Sequence, residues 1–409
     1  MTQVPGPVAR IDLNDTEAFV SGDPHLLWEQ LRTQSPVHWN PTPSGGFWAL
    51  TTYDDVLAAL RDTETFSSEH GTVIGGSFRD EIDTASGRML VTSDPPRHRQ
   101  LRRRMHRVFS PALIERVTTT VRHRVELALD RLWADGGGDL ALDVARELPA
   151  GGLMAQLGID HDEALHLLAL TQTMIGYRDD DHSLGISHEG LRLATAQADI
   201  FDFFLDLIAK RRAVPGDDAV SILLTPEEGE RELDEDTLLF NLMNLAIGGN
   251  ETTQHSASGG VLAMMDDPAE WDRLRADPKL VDTGIEEFVR WTSTASYVQR
   301  TATRPVTVRG VEIAEGDSVT LWIASANRDA NQFPEPNRFD LGRTPNRHVG
   351  FASGPHHCIG AAMGRTALNA LLRSLPTRPG RLAPAGDVVR LRSNFMLEYK
   401  SIPVEVTAR

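Results

Sequence analysis

Apolar residues are spaced along most of the chain as they are in helices. In several long stretches they recur every three or four positions, which places them on one face of a helix. The helices predicted in this way span residues 117–133, 140–157, 161–174, 191–212, 234–264, 283–291 and 359–375, and a short one spans 53–61. Strand-like stretches predict a hairpin from residues 37–39 and 47–51 and a hairpin-like unit over 307–319. The predicted fold class is mainly α with a small β part.

The breaks between these elements do not divide the chain. It contains no internal repeat, linker or shift in composition, so we expect a single domain over residues 1–409. Residues 71–88 are rich in glycine and predict a long mobile loop, a kind of segment that is usually functional. The polar stretch 177–190 separates two predicted helices, an arrangement that fits a lid.

Charge and cysteine content narrow the class of protein. The net charge is -17, which argues against nucleic acid or an anionic membrane as a partner. A single cysteine forms no internal disulfide and fits a reducing compartment. Residues 1–16 lack the apolar core of a signal peptide, and no apolar run reaches the roughly 20 residues of a membrane helix. We therefore expect a soluble, cytoplasmic protein, taken to be a monomer.

The only cysteine lies in the segment FASGPHHCIG, residues 351–360. The predicted helix 359–375 follows it and stops near Pro376, so Cys358 is placed at a helix N-terminus, where the macrodipole favours a thiolate. Such a thiolate is a soft metal ligand or a nucleophile, although most lone cysteines are small buried hydrophobes. The adjacent histidines do not have a recognised zinc spacing, and no nearby residue stands out as a base.

The pattern F-x-x-G-x-H-x-C-x-G closely resembles the haem-binding loop of the cytochrome P-450 family, the haem-thiolate monooxygenases. The resemblance implies that Cys358 is the proximal iron ligand of haem b, in a loop that begins at Phe351. Thiolate ligation donates electron density to iron and favours cleavage of the O–O bond. Many members have glycine where this chain has Ala352, a small difference that does not affect the ligand.

The long predicted helix 234–264 has an unusual centre, AIGGNETT, residues 246–253. Two glycines inside a helix cost about 1 kcal/mol each relative to alanine. They indicate either close packing between helices or a local opening. The sequence also resembles the family's A/G-G-x-(D/E)-T motif, with Gly248, Gly249, Glu251 and Thr252 in order. The resemblance implies a haem face at Gly248, a hydroxyl at Thr252 that supports oxygen activation, and a proton relay from solvent at Glu251.

A concentrated basic stretch covers residues 97–108. Such runs are usually solvated faces, but in an acidic protein this one suggests an anionic ligand or partner. His98 and Arg102 are four residues apart and share a helix face. The resemblance implies that they bind the haem propionates together with Arg300 and His356, and that another side of this helix faces an acidic ferredoxin.

An E-x-x-R motif, Glu287 and Arg290, lies in the predicted helix 283–291. Alone it is a weak signal, because most such pairs are solvent-exposed. The motif is followed by Arg300 and by the segment 333–339, and this order resembles the proximal core of the family. In that core an arginine, which Arg338 or a neighbour matches here, joins the pair. The resemblance extends from about residue 46 to the C-terminus. The last helix reaches Pro376 about one turn sooner than in many relatives, so we expect a local change of the proximal surface.

The resemblance implies a haem-thiolate monooxygenase that takes electrons from a ferredoxin and its reductase, since no flavin or nicotinamide domain is apparent. Hydroxylation is the expected outcome, and epoxidation or intramolecular C–N or C–C coupling stays open. A haem sensor or carrier and a peroxygenase are disfavoured by the pair Glu251–Thr252. The substrate is expected to be a mid-sized, mostly apolar molecule from natural-product biosynthesis. The residues expected to line its pocket are Asn244, Ile247, Ser296, Tyr297, Val298 and Phe395.

Overall fold

The computed structural model describes residues 11–43, 45–74 and 84–408. Helices dominate these residues, as the apolar spacing predicts. The helices are α1 (Glu17–Val20), α2 (Pro24–Gln34), α3 (Tyr53–Arg61), α4 (Arg97–His106), α5 (Pro111–Ala134), α6 (Glu147–Leu157), α7 (His161–Ile175), α8 (Glu189–Ala213), α9 (Ala219–Leu224), α10 (Glu235–Asp266), α11 (Pro268–Ala276), α12 (Leu280–Thr292), α13 (Ile323–Ala326) and α14 (Ala361–Ser374). The prediction of a mainly helical fold with a small β part is confirmed.

The strands form small sheets beside the helices. They are β1 (Val37–Thr42), β2 (Gly45–Leu50), β3 (Phe66–Ser67), β4 (Gly137–Asp139), β5 (Val298–Ala302), β6 (Val306–Val308), β7 (Val311–Ile313), β8 (Ser318–Leu321), β9 (Arg381–Pro384), β10 (Val389–Arg390), β11 (Tyr399–Ser401) and β12 (Pro403–Thr407). A five-stranded sheet has the order β1-β2-β8-β5-β3, and a three-stranded sheet has the order β4-β12-β9. The predicted first hairpin is β1–β2, with Val37 opposite Leu50. The hairpin-like unit is β6–β7, after which β8 joins the large sheet.

The long helix α10 passes through the centre of the helical part. Asp234 caps its N-terminus by accepting the backbone N–H of Thr237 at 2.9 Å. Helices α6, α7, α8, α12 and α14 all pack against it, and apolar residues occur on every side, as expected of a buried helix. Near its C-terminal end, Gly260 lies against the ring of Phe288 of α12, so the missing side chain there permits close packing of two helices.

Several predicted boundaries differ from the observed ones. The stretch 140–157 is divided into a π-helical turn, Leu140–Ala145, and the helix α6. The last helix, α14, begins at Ala361 with Gly360 as its N-cap, and a 3₁₀ turn through Pro376 follows it. Cys358 therefore lies in the loop before the helix. The polar break between α7 and α8 is confirmed, and Asp179 in it accepts hydrogen bonds from Lys400.

Part of the predicted glycine-rich loop, residues 75–83, lies outside the described residues. In the part of the chain that the structure does describe, no helix combines the length and the apolarity needed to cross a lipid bilayer.

Candidate active site

A cavity of about 320 Å³ lies between the middle of α10 and the loop that carries Cys358. Both Thr252 and Cys358 line it, although they are far apart in the sequence. Further lining comes from α4, α6 and the segment before β5. The two motifs that the sequence singles out thus face each other across one space.

The Cys358 side chain lines the cavity and its surface is exposed there. Its backbone N–H donates to the carbonyl of Phe351 at 2.8 Å, which closes the loop. Burial raises the pKa of the thiol, and a backbone N–H of Gly360 and the charges of Arg102 and Arg365 oppose that rise. Cys358 precedes the N-cap of α14 by two residues, and the thiolate predicted at this position stays a prediction. Bound iron would stabilise the anion against the effect of burial.

The predicted propionate ligands converge at one side of this cavity. The rings of His98 and His356 lie 4.3 Å apart. His98 is almost fully buried, and neither of its ring nitrogens has a hydrogen-bond partner among the described residues. His356 contacts Ser68 at 3.2 Å, and burial, aided by Arg300, lowers its pKa to about 2, so the ring is neutral.

Two arginines complete this side. Arg300 is buried and donates to the carbonyl of Gln299 at 2.7 Å, and no carboxylate within the described ranges forms an ion pair with it. Arg102 donates to the carbonyl of His357 at 2.8 Å. Buried cations without an anionic partner are costly. This donor set, together with the thiol of Cys358, fits a haem whose two propionates would neutralise the arginines.

The centre of α10 opens toward the cavity. No protein atom lies within 4 Å of a Cβ atom built on Gly248 or Gly249, in contrast to Gly260. Of the two interpretations of these glycines, the local opening is the one that the structure shows. The Thr252 hydroxyl donates to the carbonyl of Gly248 at 2.8 Å, so its lone pairs remain available to accept a hydrogen bond from the cavity.

Glu251 points away from this opening. Its side chain is fully buried, and its Oε1 atom lies 2.6 Å from the Thr171 hydroxyl of α7. The carboxyl group has no exposed surface, and the predicted relay of protons from solvent through Glu251 stays a prediction. Adjacent residues on a helix differ by about 100° in direction, and here Thr252 faces the cavity while Glu251 faces the interior on another side.

The predicted substrate pocket agrees with the structure only in part. Asn244 and Val298 line the cavity. Ile247, Ser296, Tyr297 and Phe395 do not, and two of them are enclosed in protein, which corrects their assignment. The Ser296 hydroxyl donates to the carbonyl of Asn394 at 2.5 Å, and the Tyr297 hydroxyl accepts the N–H of Ile74 at 3.2 Å.

The missed lining residues include Leu90, Val91, Leu153, Thr294, Ala295 and Ile323. They come from separate parts of the chain, and no local motif marks them.

The predicted core pair is present. Arg290 donates to both carboxylate oxygens of Glu287 at 2.7 Å, and both side chains are fully buried. The arginine that joins them is Arg343, whose Nε lies 3.1 Å from Glu287. Arg338, the residue suggested by the sequence, instead pairs with Glu335 at the surface, and its backbone carbonyl accepts from Arg290 and Arg343.

Comparison with known proteins agrees with this geometry. A sequence model of the family described as Cytochrome P450 matches residues 186–375. Linalool 8-monooxygenase of Pseudomonas putida is 32% identical over 97% of this chain and 98% of its own length. Cytochrome P450 NovI of Streptomyces niveus is 32% identical over 99% of this chain and 98% of its own length. The crystal structure of P450 OxyD, which is involved in the biosynthesis of vancomycin-type antibiotics, matches at 34% identity with a TM-score of 0.86, over 98% of this chain and 100% of that chain.

Proposed function

The chain belongs to the cytochrome P450 family and is a haem b monooxygenase, and from this premise we propose that it hydroxylates a mid-sized, mostly apolar molecule in natural-product biosynthesis. The observation that carries the proposal is the single cavity that Thr252 and Cys358 share. The likeness to OxyD supports natural-product biosynthesis as the setting.

Haem b, when bound, supplies the iron at which O2 is activated. Cys358 would hold that iron, and His98, Arg102, Arg300 and His356 would hold the propionates. The Thr252 hydroxyl donates its own hydrogen to the Gly248 carbonyl of α10. It would therefore act as a hydrogen-bond acceptor on the side of the cavity where O2 would bind. Each of these groups is positioned by packing or by a hydrogen bond within the chain.

The cavity wall supports the proposed substrate class. Leucine, valine, isoleucine and phenylalanine side chains form much of the apolar lining, and Asn244 is an amide close to the glycine opening. Apolar pockets with a few polar groups bind mid-sized ligands and orient them through those groups. We therefore expect Asn244 to fix which carbon is oxidised. Epoxidation or C–N or C–C coupling would need the same oxidant, so product analysis separates these outcomes.

The electron donor is proposed to be a ferredoxin with its reductase. The arginines of α4 are a poor docking surface, because Arg103 and Arg104 pair with Glu230 and Arg107 pairs with Glu227. A groove of about 650 Å³ beside α14 is a second candidate, and α14 follows the Cys358 loop directly. Its lining holds Arg122, Arg365 and Arg373 together with Glu126, Asp282 and Glu286. Arg365 pairs with Glu286 and Arg373 with Asp282, whereas Arg122 forms no ion pair among the described residues.

Docking in this groove can be tested by reversing its charge. The double variant Arg122→Glu, Arg373→Glu should slow haem reduction by an acidic ferredoxin at least tenfold at low salt and leave reduction by dithionite unchanged. Arg131→Glu, on α5 but outside the lining residues of the groove, is the matched control. Equal rates for the double variant and the control would reject this surface.

The experiment for the substrate class is an absorbance titration of the ferric protein with indole peptides, macrolides, steroids and terpenes. A low-to-high-spin shift with one class identifies what displaces the iron-bound water. A haem spectrum that does not respond to any compound would reject the proposal of a free mid-sized substrate and favour one bound to a carrier protein. The absence of a haem spectrum would refute the whole assignment.

A further inference from the structure

Three ionisable side chains meet in the interior on the side of α10 that faces away from the cavity. Glu251 and His255 are four residues apart on the helix, and Glu398 comes from the segment just before β11. His255 Nε2 lies 3.7 Å from Glu251 Oε2 and 3.3 Å from Glu398 Oε2, and ligand atoms of all three lie within 4.8 Å of one another. All three side chains are buried. Two carboxyl groups therefore share one imidazole out of contact with water.

The hydrogen bonds of His255 decide what this cluster can bind. Its Nδ1 accepts the backbone N–H of Tyr399 at 3.2 Å. The ring hydrogen of the neutral imidazole must then be on Nε2, pointing at the two carboxyl groups. A metal ion bound at Nε2 would need a lone pair on that nitrogen in place of its hydrogen. Because Nδ1 already accepts from Tyr399, the ring would then have no hydrogen at either nitrogen. The cluster is thus built to hold a proton, not a cation.

The contacts of Thr171 decide where the proton lies. Its hydroxyl has one hydrogen but two oxygen neighbours, the Leu168 carbonyl at 3.0 Å and Glu251 Oε1 at 2.6 Å. The amide of Asn250 also donates to this hydroxyl, at 3.4 Å. If Glu251 is protonated, its Oε1 donates to Thr171 and Thr171 donates to Leu168, so these three groups are all satisfied. If Glu251 is ionised, the two acceptors compete for one hydrogen.

We propose that Glu251 is stored as the neutral, protonated acid next to Thr252, and that His255 and Glu398 are positioning residues that keep it protonated. In this arrangement His255 Nε2–H faces ionised Glu398, whose Oε2 lies 3.3 Å from Nε2, and the negative charge of Glu398 opposes ionisation of Glu251. When Glu251 gives its proton toward the oxygen site, its O–H bond breaks and a second carboxylate forms beside Glu398. The repulsion between them then favours uptake of a replacement proton from solvent. The purpose of the stored proton rests on the proposed monooxygenase reaction. The contacts among Glu251, His255 and Glu398 do not depend on that reaction.

The surrounding charges act on this cluster in both directions. Burial raises the pKa of Glu251 to about 7 and Glu398 adds to the rise, while His255 and Thr171 oppose it. Burial lowers the pKa of His255, but Glu398 and Glu251 outweigh burial and raise that pKa to about 9. The contact that excludes the doubly protonated ring is the backbone N–H of Tyr399, which donates to Nδ1. The charged and titratable groups around Glu398 belong to the neighbouring segment 179–182 and to β11. They are Asp179, Asp181, His182 and Lys400. Lys400 is paired with Asp179 and Asp181, so its charge is compensated by these two carboxylates.

Infrared spectroscopy of the ferric holoenzyme tests the proposal without any substrate. The wild-type protein should show the C=O stretch of a buried carboxylic acid, with a titration midpoint near pH 7, and Glu251→Gln should abolish it. Glu398→Gln should lower that midpoint by about one pH unit or more, because the variant removes a negative charge within about 5 Å of Glu251 that disfavours its ionisation. Should that variant not fold, Glu398→Ser removes the same charge. Asp181→Asn, which removes an exposed charge outside the cluster, is the control and should leave the midpoint in place.

Two results would overturn the inference. A carboxylic acid band that survives in Glu251→Gln, or is absent from the wild type at pH 6, would show that Glu251 is ionised. An unchanged midpoint in the Glu398 variants, with only a loss of thermal stability, would show that the cluster merely holds β11 against α10. Neither result depends on which substrate the enzyme oxidises, so failure here is separate from failure of the proposed function.

Discussion

Alanine at two different glycines of α10 should have opposite effects on stability. Gly248 and Gly260 lie in the same helix with ordinary helical backbone, but their surroundings differ. Apart from its own turn of helix, no protein atom lies within 4 Å of a Cβ at Gly248, whereas a Cβ at Gly260 would overlap Cδ2 of Phe288. The missing side chain leaves space for the cavity at Gly248, and it lets two helices pack closely at Gly260.

The magnitudes follow from these contacts. Gly248→Ala gains about 1 kcal/mol of helix stability, and no neighbouring protein atom opposes it. Gly260→Ala gains the same amount but has to displace a fully buried ring that also packs against Phe339 at 5.9 Å. Overpacking of this kind costs roughly 1–3 kcal/mol or more. The gain in helix stability is common to both variants, so we expect their free energies of unfolding to differ by the overpacking cost alone, roughly 1–3 kcal/mol or more.

The assay is urea unfolding followed by far-ultraviolet circular dichroism, together with the haem content and the carbon monoxide spectrum of the reduced protein. Gly248→Ala should keep or exceed the wild-type unfolding midpoint while its haem spectrum changes. Gly260→Ala should lose stability and keep a normal spectrum in the folded fraction. Equal destabilisation of both variants would refute the assignment of the two glycines to different roles.

Three further predictions concern the site and its support. Cys358→Ser should abolish the red-shifted carbon monoxide band of the reduced protein, and a retained band would exclude Cys358 as the ligand. Thr252→Ala should leave substrate binding nearly unchanged while electrons are diverted to hydrogen peroxide or water, and unchanged coupling of electrons to product would contradict its role. Burial by itself would raise the pKa of Glu286, but hydrogen bonds from His348 and Arg365 outweigh it and lower the pKa to about 2 from 4.5. The stability that this ionised group contributes is present above about pH 4.5 and is lost as the pH falls toward 2, so Glu286→Gln should remove up to roughly 3 kcal/mol at pH 7 and flatten the acid limb of a stability profile. A variant whose acid limb matches that of the wild type would show that the Glu286 pairs contribute nothing.

The sequence predicts most helices because their apolar spacing is strong, and it predicts both faces of the cavity because each carries a local motif. Helix α3 has the predicted bounds, and Asp234, where the predicted long helix starts, is the N-cap of α10. Membership of the cytochrome P450 family, which rests on such motifs, is confirmed by relatives that match almost the whole chain.

The predictions that differ from the structure concern side chains whose positions are set by tertiary packing. Tyr297 is close in sequence to residues that line the cavity, but its ring packs against Trp322 at 4.8 Å and belongs to a separate aromatic core. Arg343 takes the place expected of Arg338 because the irregular segment between them folds back, and no periodicity describes such a segment. His255 can be placed beside Glu251 from their i, i+4 spacing, whereas nothing local connects either residue to Glu398.

The two sides of α10 explain why its weak centre is tolerated. The glycines that open the cavity remove side-chain contacts from one side, and the helix retains contacts on the others. Close packing at Gly260 and the cap at Asp234 stabilise its two ends. The contacts of Glu251 with Thr171 and Glu398 stabilise the middle on the side away from the cavity. Because a buried acid is costly unless it is neutral or paired, the middle of the helix is most stable when Glu251 is protonated. The residue next to Thr252 is therefore held by contacts that also favour the protonation state a proton donor requires.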